Sequence, residues 1–114
     1  MHVPCGSSPR VDAPEDDLAM QALLRAEDGA GLSLTRVELS GRHRPLRTER
    51  SVRTYYVLEG SATFTVGGRE LEAAAGDVVV IPRGELYDLR GELTYLVLNT
   101  PPYVEGDDLY EETT

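Results

Sequence analysis

The chain has no lysine, no tryptophan, one cysteine and one phenylalanine among its 114 residues. Without lysine there is neither a Schiff-base amine nor a lysine general base, so imine chemistry is excluded. With Cys5 alone no intrachain disulfide can form, and its Pro/Gly/Ser-rich surroundings predict an exposed, mobile thiol without a role. No apolar run approaches the roughly 18 residues that a membrane helix needs, so no membrane partner is expected. A basic start followed by an apolar stretch, the mark of a secretory signal, is also lacking, and the expectation is a cytoplasmic protein.

Positive charge is the next shortage. Eleven arginines stand against twenty acids, a formal net charge of −9. The excess sits at the ends, with Asp12, Glu15, Asp16 and Asp17 against Arg10 near the start, and Glu105, Asp107, Asp108, Glu111 and Glu112 without a base near the end. The intervening segment is close to neutral. Phosphate binding needs a basic stripe, so no nucleic-acid partner is expected.

What is there organises as one domain, since 114 residues support a single hydrophobic core. Residues 1–17 hold Pro4, Pro9 and Pro14 among small and acidic residues and predict a disordered or loosely attached leader. Residues 18–104 read as a procession of short strands, and 105–114 as an acidic tail. Alternation in 32–39 and 62–66, β-branched and tyrosine residues in 52–58, and the hairpin dipeptide Gly67-Gly68 all favour strands. Val78 to Ile81 reads as a buried strand stopped by Pro82, and segments 86–89 and 93–99 complete the set. Many short strands with glycine turns and no long helix predict an all-β barrel or sandwich.

Two segments are more specific. Gly41 to Gly60 and Gly76 to Gly84 reproduce the glycine and proline spacing of the two cupin motifs, Gly-x5-His-x-His-x3-Glu-x6-Gly and Gly-x5-Pro-x-Gly-x2-His-x3-Asn. Tyr55-Tyr56-Val57-Leu58-Glu59-Gly60 and Asn99 to Tyr103 also resemble single-domain cupins. The resemblance covers roughly residues 20–104 and implies a single-domain cupin-type jelly-roll β-barrel, commonly paired as a homodimer.

The ligand positions of the motifs are all replaced. Arg47 and Glu49 stand for the first two histidines, Arg53 for the glutamate, Tyr87 for the third histidine and Gly91 for the asparagine. A typical member of the family binds a divalent metal there, but a guanidinium stays protonated and has no lone pair to donate. No metal site and no cofactor are expected. His2 and His43 lack partners at ligand spacing and read as solvent-facing, His43 in a loop before Pro45.

By the resemblance, the replaced positions point into the barrel. Arg47, Glu49, Arg53 and Tyr87 are then expected to form a polar cluster in an apolar cup, with Tyr55, Phe64 and Tyr95 as further lining. Two arginines against one carboxylate leave a positive balance that a small anionic metabolite would complete. A one-residue bulge would instead turn Arg47 out to solvent. If the cup is catalytic, Glu49 is the candidate base, Tyr87 a proton donor or acceptor with a lowered pKa, and Arg47 and Arg53 the anion-holding groups. That set permits isomerisation, epimerisation, dehydration or cyclisation, plausible steps of specialised metabolism, and not oxygenase chemistry. The alternative is a non-catalytic ligand-sensing or interaction domain whose barrel is plugged by its own Arg-Glu-Tyr network.

Overall fold

The computed structural model describes residues 1–111, so Glu112 and the end of the acidic tail lie outside the described residues, as does the Cys5 side chain. Eight strands follow in order: β1 (Val11–Ala13), β2 (Leu18–Leu24), β3 (Ser33–Thr48), β4 (Val52–Val66), β5 (Arg69–Ala74), β6 (Val78–Ile81), β7 (Tyr87–Thr100) and β8 (Asp108–Tyr110). Short 3-10 turns at Cys5–Ser7, Pro14–Asp16 and Ala26–Asp28 are the only helical pieces among the described residues. All pairings are antiparallel.

The three long strands carry the architecture. β7 lies between β3 and β4 along most of its length, and β3 and β4 change their outer partners part-way: β3 from β2 to β8, β4 from β6 to β5. A strand that changes partner must bend, and glycine makes the bend possible. Gly60 (φ 80°) and Gly91 (φ 149°) adopt backbone conformations that side chains resist, and a Cβ at either would strike the backbone of the strand opposite. The hydrogen-bonded ladder runs from β1 to β5 and does not close on itself, so the cup is enclosed by a strongly curled sheet and not by a continuous ring.

Side-chain alternation decides what faces the inside. On β4, Arg53, Tyr55 and Val57 point inward; a bulge between Val57 and Glu59 shifts the phase, so that Ala62 and Phe64 are the inward residues afterwards. On β3, Val37, Leu39 and His43 share the inner face until the register slips between His43 and Leu46, at Pro45; from there Leu46 and Thr48 are buried. With Tyr87, Leu89, Leu93 and Tyr95 of β7 and Val79 and Ile81 of β6, the apolar and aromatic side chains among these make one core.

Both chain ends differ from expectation. Within the stretch read as a disordered or loosely attached leader, Val11–Ala13 pair with β2, and the turn that follows sends the carboxylate of Asp16 inward, where it holds Arg44. The tail from 105 on includes β8, which pairs with Leu46, Arg47 and Thr48. Acidic composition signalled disorder, but each buried acid has an arginine partner that composition alone cannot assign.

Candidate functional site

A cavity of about 320 Å³ opens between the inner face of the sheet and the two chain ends. Its base is polar: Arg53 and Tyr55 of β4 and Asn99 of β7. Met20, Val37 and Val97 give an apolar wall, His43 of β3 lines it as well, and Asp16, Asp108 and Tyr110 line the sides contributed by the chain ends.

Arg53 is 5% exposed and organises the base. Its Nε donates to Asn99 Oδ1 at 2.7 Å, Nη1 to the Tyr87 hydroxyl at 3.0 Å and Nη2 to Asp108 Oδ1 at 2.5 Å. The hydroxyls of Tyr87 and Tyr55 lie 2.6 Å apart. Arginine can only donate, so the Tyr87 oxygen accepts from it and its own proton is free to go to Tyr55. Either phenol can donate in that contact; with Tyr87 as the donor, the Tyr55 O–H ends a polarised relay, Arg53 to Tyr87 to Tyr55, on a residue that lines the cavity. Phe64 lies edge-on to Tyr55 at 5.3 Å and Tyr95 tilts against it at 5.0 Å, which fixes the ring that carries the relay's last hydroxyl.

Burial pushes the tyrosine pKa values up. For Tyr87 desolvation outweighs the opposing pull of the Arg53 charge, and for Tyr55 it dominates outright. The lowering expected from neighbouring arginines does not prevail, so these phenols act as hydrogen-bond donors and not as bases.

A histidine also lines the cavity. His43, 7% exposed, lies within β3 and not in a solvent-facing loop. Its Nδ1 is 2.9 Å from the Arg44 carbonyl oxygen, an acceptor only, so in the neutral ring Nδ1 carries the proton and Nε2 the lone pair. Nε2 has no protein partner among the described residues. Asp16, 3% exposed, stands 3.8 Å from Nδ1 and is held by the Arg44 backbone N–H at 3.0 Å and Nε at 2.9 Å. Desolvation raises its pKa, but the Arg44 bonds outweigh it and keep the carboxyl below its usual range, hence charged. The Tyr110 ring stacks near His43 at 6.2 Å and beneath the Arg44 guanidinium at 3.9 Å, and burial raises its pKa to about 12.

Of the side chains expected in the cup, Arg53, Tyr55, Phe64, Tyr87 and Tyr95 are brought together. Arg47 and Glu49 are not. They pair with each other at 2.9 Å on the outside, with side chains 47% and 61% exposed, because the slip at Pro45 puts Leu46 and Thr48 inward and turns Arg47 out. Tyr87 lies behind Arg53 and Tyr55, and Phe64 behind Tyr55, so neither lines the cavity. His43, Asp16, Asn99 and Asp108 were missed as site residues. The only sequence signal for His43 was its in-phase spacing with Val37 and Leu39.

The donor set does not suit the metal that the fold commonly carries. Two of the four ligand positions face solvent, the third is an ion-paired guanidinium, and no group of three His, Cys, Asp or Glu side chains capable of holding a metal ion occurs among the described residues.

A family model described as the cupin domain matches residues 34–99. The chain belongs to the cupin family. Solved structures agree with the fold. Pac13 of Streptomyces, described as a nucleoside dehydratase, is 18% identical with a TM-score of 0.86, covering 98% of this chain and 91% of that one. Its Tyr-to-Phe and His-to-Gln variants were solved with uridine. The polyketide cyclase RemF of Streptomyces resistomycificus is 23% identical with a TM-score of 0.80, covering 100% and 87%. The ectoine synthase of P. lautus is 20% identical with a TM-score of 0.77, covering 92% and 82%. No curated protein sequence matches the chain.

Proposed function

We propose that this cupin binds a small, uncharged, hydroxyl-bearing molecule in the cup and that His43 exchanges a proton with it, in a metal-free dehydration, cyclisation or isomerisation. One observation carries the reading: an imidazole with Nδ1 engaged and Nε2 without a protein partner lines the same cavity as the end of a hydroxyl relay. Nε2 takes a proton from the ligand, and the Tyr55 O–H donates to the oxygen on which negative charge develops or to a departing hydroxyl. The Asp16 carboxylate favours the imidazolium that forms. Tyr87 touches Tyr55 and Arg53 and serves as a positioning residue. The shared fold of a nucleoside dehydratase and a polyketide cyclase supports this class of reaction, and a place in specialised metabolism belongs to the same proposal.

An anionic ligand suits the cup less well than the residue types implied. Arg47 is outside, and Glu15, Asp16 and Asp108 line the cavity against Arg53 alone. The plugged-barrel alternative has one observation in its favour, the engagement of Arg53 by its own chain; the space of about 320 Å³ in front of that cluster favours a ligand. We also propose a homodimer formed through the outer face. There Val78 and Val80 are 60% and 55% exposed and lie in rows with Tyr56 and Thr54, continued by Leu96 and Leu98.

The test is titration with uncharged hydroxylated ring compounds, uridine among them, followed by thermal shift and product analysis. A ligand should stabilise the protein. Tyr55→Phe should weaken it about tenfold, the value of one hydrogen bond, and His43→Gln should keep binding while turnover is lost. Turnover that survives His43→Gln, or no stabilising compound at all, refutes the reading.

A further inference from the structure

We propose that Asp108 sets the charge class of the ligand: it occupies Arg53 from within the chain, so the cup admits uncharged molecules and turns anions away. The inference rests on the reading that the cup binds a small molecule.

Arg53 is the only arginine among the described residues that line the cavity, and His43, the other basic group there, already faces the Asp16 carboxylate, so Arg53 is the fixed positive charge that an entering anion would use. Its Nη2 already donates to Asp108 at 2.5 Å, while Nε and Nη1 are engaged by Asn99 and Tyr87. The carboxylate is not there by the chance swing of a surface side chain. β8 pairs Asp108 with Thr48, and the preceding Asp107 is clamped by Arg50 through Nε at 3.1 Å and Nη2 at 2.7 Å. Arg50 also donates to the Pro102 carbonyl, which ties down the segment leading into β8. Asp108 is thus delivered to Arg53 by backbone pairing and a neighbouring ion pair.

An anion competing for Arg53 would displace Asp108 into a cavity that Glu15 and Asp16 also line. It would gain one charge-assisted contact and create carboxylate repulsion in a poorly solvated space. An uncharged ligand meets no such opposition, since the Tyr55 hydroxyl remains available with the ion pair intact. Discrimination therefore comes from a built-in repulsive group as well as from attraction to the correct ligand.

Benzamide and benzoate, nearly isosteric and differing by one charge, are the probes, with binding measured by calorimetry at low salt. The unmodified protein should bind benzamide at least tenfold more tightly than benzoate. Asp108→Asn keeps a group able to accept from Arg53 and removes only the charge; it should bind benzoate at least tenfold more tightly than the parent and leave benzamide within about threefold. Adding Arg53→Gln should abolish the gain. Equal or tighter binding of benzoate by the unmodified protein overturns the proposal without any variant. So does an unchanged benzoate affinity in both Asp108→Asn and Asp108→Ala with the circular dichroism of the parent. Benzoate binding gained by Asp108→Asn while the parent binds neither probe would sink the uncharged-ligand reading and leave the anion-excluding role standing. Benzamide binding by both proteins with a benzoate affinity indifferent to residue 108 would do the reverse, and no binding of either probe by either protein overturns both.

Discussion

Replacing Tyr87 by phenylalanine removes one oxygen from the least accessible part of the site and keeps the ring. The Tyr87 hydroxyl accepts from Arg53 at 3.0 Å and meets the Tyr55 hydroxyl at 2.6 Å, in a residue 1% exposed. A hydrogen bond to a charged group is worth about 1.5–3 kcal/mol and a neutral one about 0.5–1.5 kcal/mol, so the loss should be about 2–4 kcal/mol. No cavity penalty beyond the missing oxygen is added, since the edge-on contact with Tyr55 survives. At about 4 °C per kcal/mol for a domain of this size, Tm should fall by roughly 8–16 °C. Tyr95→Phe is the control. Tyr95 is equally buried, but its hydroxyl has no protein partner among the described residues and its ring lines the cavity, so its removal should change stability by less than about 0.5 kcal/mol. Urea unfolding of the three proteins, with unchanged m-values, reads the difference. A loss below about 1 kcal/mol for Tyr87→Phe, or equal losses for both variants, would show that the Arg53–Tyr87–Tyr55 relay is not formed.

Three other outcomes follow from the same geometry. Asp16 has its pKa held below the usual carboxylate value, so its contribution is whole above roughly pH 4 and disappears as pH falls through the lower folded value. The stability gap between the unmodified protein and Asp16→Asn should accordingly narrow in acid, and a gap constant from neutral pH to about pH 2.5 in urea titrations would contradict it. Arg47→Ala and Glu49→Ala remove an exposed pair and should each shift stability by no more than about 0.5 kcal/mol with ligand binding unchanged; lost binding would return these residues to the cup. Val80→Asp places charge in the middle of the exposed apolar rows and should convert a dimer to a monomer in light scattering, whereas a monomeric parent removes the outer-face dimer altogether.

The fold was legible because its determinants are local and typed. Gly60, at its positive φ, and Pro82, after β6, stand where the chain must bend or stop, and the alternation of Arg53, Tyr55 and Val57 is kept intact along one strand. Half of the expected cluster follows from that alternation, which turns Arg53 and Tyr55 toward the cavity. The other half turned on a single slip. With unbroken alternation Arg47 would be inward, in phase with Val37 and His43; one shift near Pro45 exchanges it for Leu46 and Thr48. The spacing of the motif is the same in both cases, so motif matching could not detect the exchange. The burial cost of a second guanidinium points the same way, since the only inward carboxylates near Arg53 come from elsewhere in the chain.

Those carboxylates came from the two acid-rich ends of the chain. Asp16 lies in the stretch read as a disordered or loosely attached leader and Asp108 in the acidic tail, yet each is the partner of one arginine: Asp16 of Arg44, Asp108 of Arg53. An acidic run is ambiguous in sequence because solvated charge and paired charge have the same composition. They separate only when a base is placed within reach, and here the sheet places two, the half-exposed Arg44 and the buried Arg53. The chemistry of the cup follows from that pairing. One arginine is neutralised from the C-terminal side, one histidine is held by the Arg44 carbonyl with Asp16 of the N-terminal side beside it, and the proposal of a ligand without charge rests on those two pairings.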